Sequence, residues 1–494
     1  MASSKPSRHK EVERKFDVTE SAVTPTFEGV SAVARVEPSP AESLDAVYFD
    51  TEGHDLARHR ITLRRRTGGS DAGWHLKLPA GPDARTEVRL PLSAGEDGGG
   101  EHTVPADLLD IVLAIVRDRP LAPVARITTT RYIQLLYGPE GDTLAEFCDD
   151  QVTAWAAGGD ELNWREWELE LLGSDLDSAL LDRLGNRLFD AGAVPASSGS
   201  KLARVLATAA PIPTEKPAVA EDPVHRAVAE QVDELIEWDR AVRADVWDSV
   251  HQMRVTTRKL RSLLKESEES FGLTDDSWVL DELRALAAVL GVARDAEVLA
   301  ERYEKALAEL PAELVRGPVH ERLVDGAKKR YAAGHRRSLV AMRSPRYFRL
   351  LDALEALVAA EPTSAGEDAK PVTVHAAYKR VRKAAKAAHE ATEDRDEALH
   401  RIRKGAKRLR YTASALGAGK VSGAAKEIQT LLGDHQDSYV SRAHLSQQAE
   451  AAHAAGEDTF TYGLLYQQEH TLADHAREQV EEALATLDKS VRKL

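Results

Sequence analysis

The spacing of apolar residues changes once along the chain, and this change constrains the fold more than any other feature. From Lys10 to about Leu172, apolar and charged residues alternate in short runs, which indicates β-strands. After the segment 211–223, which has four prolines and no periodicity, they recur with a helical period of about 3.6. We therefore predict an α+β multidomain protein, with a barrel domain over 1–210, a linker over 211–222 and an all-helical domain over 223–494.

Length and cysteine content narrow the class of protein. The 494 residues exceed what a single core usually organises. The one cysteine, Cys148, excludes an intrachain disulfide and a multi-cysteine metal site, as is typical of a reducing compartment. The chain has no run of about 18 apolar residues, and its N-terminus lacks the apolar stretch of a secretion signal. We expect a cytoplasmic protein without a membrane partner.

Eight runs in the N-terminal region have the alternation of strands. The predicted strands are 10–18, 45–50, 60–67, 73–79, 85–92, 125–137, 143–152 and 164–172. Helical patterns occur at 106–117 and 176–192.

Charged residues repeat on one face of five predicted strands, with apolar residues between them. They are Glu11, Glu13 and Lys15, then Arg64 and Arg66, His75 and Lys77, Glu87 and Arg89, and Glu166, Glu168 and Glu170. One such pair would indicate only a solvated face. Five strands of this kind favour a closed antiparallel β-barrel with flanking helices, whose lumen holds carboxylates and cations together.

Such a lumen suits phosphate chemistry. Arginine and lysine can hold the anionic oxygens of a triphosphate. Clustered carboxylates would repel the same ligand unless they bind a divalent metal that bridges to it. The combination therefore predicts a site for metal-dependent phosphoryl transfer.

A series of motifs carries a family resemblance. The opening E-x-E-x-K at residues 11–15 is followed by LRRR, WHLKLP, RTEV and EWELELL. In this order they resemble the CYTH domain of the triphosphate tunnel metalloenzymes, over roughly residues 8–208. The segment SKLAR, residues 200–204, resembles the start of the helix that plugs such tunnels.

The CYTH resemblance implies roles for particular residues. Glu11, Glu13 and Lys15 would be catalytic, and Lys15 would orient phosphate or water. Mg²⁺ or Mn²⁺ would be held by Glu11, Glu13, Glu146, Asp150, Glu166 and Glu168, with Asp149 as a competitor on the acidic strand. Phosphate would be held by Arg64, Arg66, Lys77, Arg89, Arg126, Arg131, Lys201 and Arg204.

The C-terminal half contains an internal repeat. The motif H-x-x-R-V-x-x-R-K-L-R from His251 returns in similar form from His400, and each copy is followed by an LG-x-x-x-D segment, from Leu290 and Leu432. We predict two related helical bundles.

Basic residues at helical spacing form three stripes in this half. The stripes are His251, Arg254, Arg258, Arg261 and Lys265; His400, Arg403, Lys407 and Arg410; and His375, Lys379, Arg382 and Lys386.

A single basic stripe on a surface helix commonly pairs with acids on neighbouring helices. Three stripes with few acids among them favour a polyanion ligand, although the net charge of the chain is −15. The few interleaved aromatic residues and the acidic net charge disfavour nucleic acid.

The repeated motifs resemble the CHAD domain, over about residues 223–494. This resemblance implies polyphosphate binding and, in some members, association with polyphosphate granules. His251 and His400 would donate to phosphate in preference to binding a metal.

We expect an inorganic triphosphatase that hydrolyses triphosphate or short polyphosphate. The alternatives are a noncatalytic polyphosphate-binding scaffold, a thiamine or nucleoside triphosphatase, and an adenylate cyclase.

Overall fold

The computed structural model describes residues 6–81, 83–94, 103–173, 178–209, 222–274, 277–360, 373–390 and 395–494. The chain separates into two compact units, 1–216 and 217–494. The predicted linker lies almost wholly outside the described residues, so its boundaries stay a prediction.

The N-terminal unit is built on a closed antiparallel β-barrel. Its strands are β1 Ser7–Val18, β2 Arg35–Pro38, β3 Glu42–Asp50, β4 Thr62–Thr67, β5 Gly73–Pro79, β6 Ala84–Leu90, β7 Ala122–Tyr137, β8 Thr143–Ala156, β9 Leu162–Leu171 and β10 Val194–Pro195. Its helices are α1 Asp55–Arg58, α2 Ala106–Val116, α3 Ser178–Asp190 and α4 Lys201–Ala209. The barrel order is β1-β6-β5-β4-β3-β7-β8-β9, and β9 pairs back onto β1.

The eight strands of the barrel correspond to the eight predicted strands, and α2 and α3 correspond to the predicted helices. The short strands β2 and β10 were not predicted. They pair with β7 and β1 outside the ring. Both are too short, at four and two residues, for alternation to identify them.

The alternation of residues decides what faces the lumen. Across the seam that closes the barrel, Lys15 of β1 pairs in register with Glu168 of β9. The intervening Phe16 and Trp167 face outward and are fully buried against α3, which contributes Leu184. The predicted barrel, with charges inside and apolar residues packed under helices, is confirmed.

Helix α4 closes one end of the lumen. Leu202, Val205 and Leu206 pack against apolar residues of β7 and β8 such as Ile127 and Ala154. Ile127 and Ala154 lie on the same face of their strands as the lumenal charged side chains, because residues two apart along a strand point to the same side. The lumen therefore changes from charged to apolar towards α4, and the helix plugs it.

The C-terminal unit is all-helical. Its helices are α5 Pro223–Arg243, α6 Ser249–Glu266, α7 Trp278–Glu309, α8 Gly326–Met342, α9 Pro345–Ala359, α10 Val374–Glu390, α11 Arg395–Ala415, α12 Gly419–Ala454 and α13 Phe460–Val491. Sequential helices pack together from α5 to α8 and again from α10 to α13, and α6 contacts α11. The two copies of the repeated motif thus meet. None of the helices within the described ranges has the length and apolar composition needed to cross a bilayer.

The crossing of α7 and α8 depends on a glycine. A Cβ atom added to Gly334 of α8 would lie 2.8 Å from the backbone nitrogen of Ala293 on α7. Backbone atoms cannot move aside as the end of a flexible side chain can. The two helices can therefore approach this closely only because residue 334 has no side chain.

We expect Gly334→Ala to lower the free energy of unfolding by about 1–3 kcal/mol, the usual cost of overpacking a core. Gly423 on α12 is the matched control, because a Cβ there meets nothing within 4 Å. Gly423→Ala should raise stability by up to about 1 kcal/mol through helix propensity. Urea unfolding followed by far-ultraviolet circular dichroism compares the two, and equal effects would contradict the close crossing.

Candidate active site

The barrel encloses a charged cavity of about 270 Å³. Among the described residues, eight carboxylates and eight cationic side chains line it. The carboxylates are Glu11, Glu13, Glu42, Asp71, Glu87, Glu146, Glu168 and Glu170, and the cations are Lys15, Arg64, Arg66, Lys77, Arg85, Arg89, Arg131 and Lys201. The formal charges of the wall therefore balance.

Most predicted site residues of the barrel belong to this wall. Asp150 and Glu166 lie directly behind it, where both contact the ammonium group of Lys201. We use "carboxylate triad" for Asp150, Glu166 and Glu168. One oxygen from each lies within 4.8 Å of the others.

Two predicted phosphate ligands do not reach the cavity. Arg126 lies on the outer face of β7, where its Nε is 3.0 Å from Asp45 Oδ1 and its side chain is 61% exposed. Arg131, on the same strand but of opposite parity, faces the lumen. Arg204 of α4 pairs with Asp17 at 2.7 Å and lies over the ring of Trp164.

The structure also separates the two acidic candidates on β8. Asp149 faces outward and accepts a hydrogen bond from Arg165 Nε at 2.8 Å. Asp150 faces inward, is fully buried and accepts two hydrogen bonds from Arg131, at 2.8 and 2.7 Å. Asp150 is therefore the lumenal residue of the pair.

Lysine side chains neutralise the carboxylates of β1. Lys77 Nζ lies 2.6 Å from Glu11 Oε2, and Lys15 Nζ lies 2.7 Å from both Glu13 Oε2 and Glu168 Oε1. Burial alone would raise the pKa of Glu13, but the positive charges of Lys15 and Lys77 outweigh it and lower this pKa to about 2. Glu13 is thus a carboxylate at any working pH.

Two other carboxylates, Glu146 and Glu170, form no ion pair with another described residue. They face each other across β8 and β9. Burial, and after it the negative charge of Glu11, raises the pKa of Glu170 to about 8. Sequence reasoning did not select Glu170 as a site residue, although it shares the alternation of Glu166 and Glu168 and could have been found by it.

Glu87 was also missed as a site residue. It is fully buried and contacts His75 Nδ1 at 2.8 Å and His9 Nε2 at 2.9 Å, and it also pairs with Arg89. Burial opposes its ionisation, but the hydrogen bond to His75 and the charge of Lys77 hold its pKa below the usual range. Glu87 could have been selected from the sequence, because it alternates with Arg89 on one of the five strands that carry charged residues on one face.

The triad fits a divalent metal. Its donors are carboxylate oxygens, which Mg²⁺ and Mn²⁺ prefer, and their mutual spacing allows one ion to contact all three residues. His9, Glu11 and Glu87 form a second group of similar spacing. Burial is the main cause of the raised pKa of Glu170, and a cation bound nearby would favour its ionised form.

Guanidinium groups crowd on the opposite part of the wall. Arg64 donates a hydrogen bond to the Tyr48 hydroxyl at 3.2 Å. Burial, and after it the positive charge of Arg64, lowers the pKa of Arg66 to about 10, despite its ion pair with Asp71. An anion bound beside these neighbouring cations would relieve their mutual repulsion.

The repeated motifs bring four cations together in the helical unit. Burial, and after it the charges of Arg258, Arg254 and Arg403, lowers the pKa of Lys407 to about 6. None of these four residues, which we call the basic cluster, forms an ion pair with another residue in the described part of the chain. The cluster therefore lacks the direct ion pairs of the lumen, although Asp434 and Asp437 lie near enough to interact electrostatically with Arg403.

The glycines of the two LG-x-x-x-D segments make room for this cluster. A Cβ atom on Gly291 would lie 3.3 Å from Arg254 Nε, and one on Gly433 would lie 3.3 Å from Arg403 Nη2. Equivalent arginines thus lie against equivalent glycines. This contact explains physically why the two motifs recur together in both halves of the repeat.

The remaining residues of the predicted stripes are placed less uniformly. Arg261 donates to the Leu280 carbonyl, Lys265 pairs with Glu268 at 3.0 Å, and Arg410 donates to Gln429. His251 is half-buried, and His400 is exposed.

The α10 stripe is a solvated face. Its four residues, His375, Lys379, Arg382 and Lys386, are all exposed. Lys386 lies 3.8 Å from Glu390 of its own helix.

Comparison with known families agrees with this architecture. The CYTH domain family matches residues 9–204, and the CHAD domain family matches residues 226–446. The fold and site therefore define a CYTH barrel joined to a CHAD helical domain. The CYTH family is metal-dependent and includes triphosphatases and cyclases.

Two proteins of Mycobacterium tuberculosis, MT2285 of strain CDC 1551 and Rv2226 of strain H37Rv, are each 66% identical to this chain over 511 residues. The match covers 99% of this chain and 98% of each relative. The chain belongs to this family of CYTH–CHAD proteins.

Two solved structures are also similar. PptA from Streptomyces chartreusis has 22% identity and a TM-score of 0.45, over 54% of this chain and 99% of that chain. The CHAD domain from the plant Ricinus communis has 22% identity and a TM-score of 0.42, over 55% and 93% respectively.

The environment of Cys148 predicts its reactivity. Its thiol is 3% exposed and donates to Glu146 at 3.1 Å, and burial raises its pKa well above the usual range. Since the thiolate is the reactive form, Ellman's reagent should not modify the native protein at pH 8. One thiol per chain should react in guanidinium chloride. Rapid reaction of the native protein would contradict the inward orientation of Cys148.

Proposed function

We propose that the CYTH barrel hydrolyses inorganic triphosphate, or the terminal phosphate of short polyphosphate, with Mg²⁺ or Mn²⁺, while the CHAD domain binds polyphosphate. The observation that carries the proposal is the composition of the cavity wall. Carboxylates and cations are interleaved there in equal number. A ligand pair of opposite sign, such as a metal cation with a phosphate chain, would match both sets, whereas either ligand alone would match one.

The chain's own residues supply binding and orientation. Arg64 and Arg66 would hold the anionic oxygens of the phosphate chain, with Lys77 on the neighbouring strand β5 and Arg89 on the next strand, β6. Lys15 lies between Glu13 and Glu168 and would orient a phosphate oxygen or the attacking water. Such positioning and charge neutralisation are most of what phosphoryl transfer requires.

The metal would be held by carboxylates of β1, β8 and β9, among them Glu13 and the triad. When bound, it would neutralise phosphate charge and lower the pKa of a coordinated water. The ionised state of Glu13 suits it to this role, because a metal ligand must be deprotonated.

The lining favours a phosphate-only substrate over a nucleotide or thiamine triphosphate. Tyr48 is the only aromatic side chain among the described residues that line the cavity. A base or thiazolium ring would need more aromatic or apolar surface to pack against. We therefore rank the organic triphosphatase and cyclase alternatives lower.

The CHAD domain would bind longer chains through the basic cluster. Arg254, Arg258, Arg403 and Lys407 repel one another in the free protein, and a polyanion would remove this repulsion. Binding of this kind would also carry the protein to polyphosphate granules.

We expect Glu13→Gln to reduce the rate of metal-dependent phosphate release from triphosphate by about 100-fold or more. Loss of a group that stabilises charge in a transition state commonly has an effect of this size. Arg126→Gln is the matched control, because Arg126 lies on the outer face of the barrel. It removes a charge without altering the cavity and should retain wild-type turnover. A phosphate-release assay with triphosphate, ATP and thiamine triphosphate measures both variants.

Wild-type turnover by Glu13→Gln would refute the assignment of the lumen as a metal-dependent active site. A folded wild-type protein that binds triphosphate without cleaving it under any metal would favour the noncatalytic scaffold.

The pKa of Lys407 predicts a pH dependence of polyphosphate binding. In the free domain Lys407, with a pKa of about 6, is mostly neutral at pH 8. A bound polyanion favours the ammonium form and raises this pKa, so binding takes up a proton above pH 6. Affinity should rise as the pH falls from 8 to 6, by up to about tenfold per unit for one proton.

Calorimetric titration of long-chain polyphosphate at pH 6, 7 and 8 and constant ionic strength measures this slope. Lys407→Arg is the control, since a guanidinium group stays charged throughout. It should bind with little pH dependence. An unchanged slope in Lys407→Arg would assign the proton to another group.

A further inference from the structure

Lys201 contacts the carboxylate triad in the manner of a bound cation. Its Nζ lies 2.8 Å from Asp150 Oδ2, 2.7 Å from Glu166 Oε1 and 2.8 Å from Glu168 Oε1. All three acidic residues are buried, with 0%, 5% and 8% of their surface exposed. One ammonium group thus lies at ion-pair distance from an oxygen of each member of the group that fits a divalent metal.

We infer that Lys201 is a competitor for the metal: its ammonium group occupies the triad in the ligand-free barrel, and metal loading displaces it into the lumen, where it binds phosphate. The inference rests on the proposed metal-dependent function. It makes Lys201 a phosphate-binding residue whose partner changes from carboxylate to phosphate.

The plug helix allows this exchange without leaving the barrel. Lys201 is the first residue of α4, and the helix is anchored by Leu202, Val205 and Leu206, each 3% exposed or less. The four-carbon side chain of lysine is flexible, so the ammonium group can move while the apolar side chains of α4 stay packed. Since Lys201 also lines the cavity, its displaced head would remain within the lumen.

Electrostatics favours the exchange when the metal binds, and most strongly when a phosphate chain is also present. A divalent cation in the triad repels a nearby ammonium group, and leaving that group buried without a partner would be costly. A phosphate chain in the lumen offers the partner. Metal and phosphate should therefore strengthen each other's binding, and by linkage the effect is reciprocal.

His9, Glu11 and Glu87 form the second group that could hold a metal, so the metal could bind there instead of in the triad. Glu11 and Glu87 already pair with Lys77, Arg89 and His75, and His9 is 37% exposed. Lys201 is not among the partners of this group. Its replacement should affect metal binding only if the metal enters the triad.

The test is a titration of the full chain with Mn²⁺, without phosphate, following free Mn²⁺ by electron paramagnetic resonance. Lys201→Met should bind Mn²⁺ more tightly than wild type by about tenfold or more, within the usual range of coupling between sites. Arg204→Met is the matched control, because Arg204 lies on the same helix but pairs with Asp17. It should bind as wild type does.

A second measurement uses the wild-type chain and does not depend on a variant folding. Reductive methylation of lysines, read by mass spectrometry, should modify Lys201 slowly without metal and faster with Mn²⁺. Lys10, which is exposed on β1, is the internal reference and should not change.

Equal Mn²⁺ affinity in wild type and Lys201→Met, or unchanged labelling of Lys201 at saturating Mn²⁺, would overturn the inference. Failure of Mn²⁺ to bind either chain would also overturn it. Because neither measurement involves turnover, an inactive enzyme with a displaced lysine would reject the proposed hydrolysis alone.

Discussion

The N-terminal domain depends on ion pairing inside a closed barrel. Closure removes the lumenal side chains from bulk water, and a buried charge without a partner costs several kcal/mol. Lumenal carboxylates such as Glu13 and Glu168 are therefore paired with a cation of the wall, whereas Glu146 and Glu170 form no ion pair with another described residue. Lys15 illustrates the constraint, because it bridges Glu13 and Glu168 across the seam where β1 meets β9. The same contact closes the barrel and builds the site.

This constraint also gives the lumen its chemistry. Ion pairs such as Lys77 with Glu11 satisfy the wall when no ligand is bound. A metal or a phosphate chain alone would break pairs and leave the opposite charges without partners. The two together can replace the pairs, so a balanced wall selects for a metal-bound polyanion. The structural stability of the domain and its proposed specificity thus have one electrostatic origin.

The CHAD domain uses the opposite arrangement. Its stability comes from apolar contacts between helices, for example those of Ile402 and Leu409 with Ile428 and Leu432. The helical core does not need the basic cluster, which can remain unbalanced. The pKa of Lys407, lowered to about 6, measures that imbalance. The barrel therefore requires two ligands of opposite sign, whereas the helical domain requires only an anion.

Much of this organisation is determined by the sequence alone. Alternation in the first half identified all eight barrel strands, and the repeated motif identified the basic stripes of α6 and α11, two helices that contact each other. These patterns are local, because a strand or helix sets its own side-chain period. The alternation of inward and outward side chains along a strand is also local. Applied to every strand in the same way, it would have excluded Arg126 from the predicted site residues and included Glu170.

The partners of each charge were decided only by the tertiary structure. Lys201 lies 51 residues after Asp150 and 33 after Glu168 in the chain, yet it contacts both. No periodicity relates these positions, since the contact exists only when α4 enters the end of the closed barrel. The exposed α10 stripe makes the same point, because its spacing matches that of the α6 and α11 stripes. Spacing decides which residues share a face, but packing decides what that face meets.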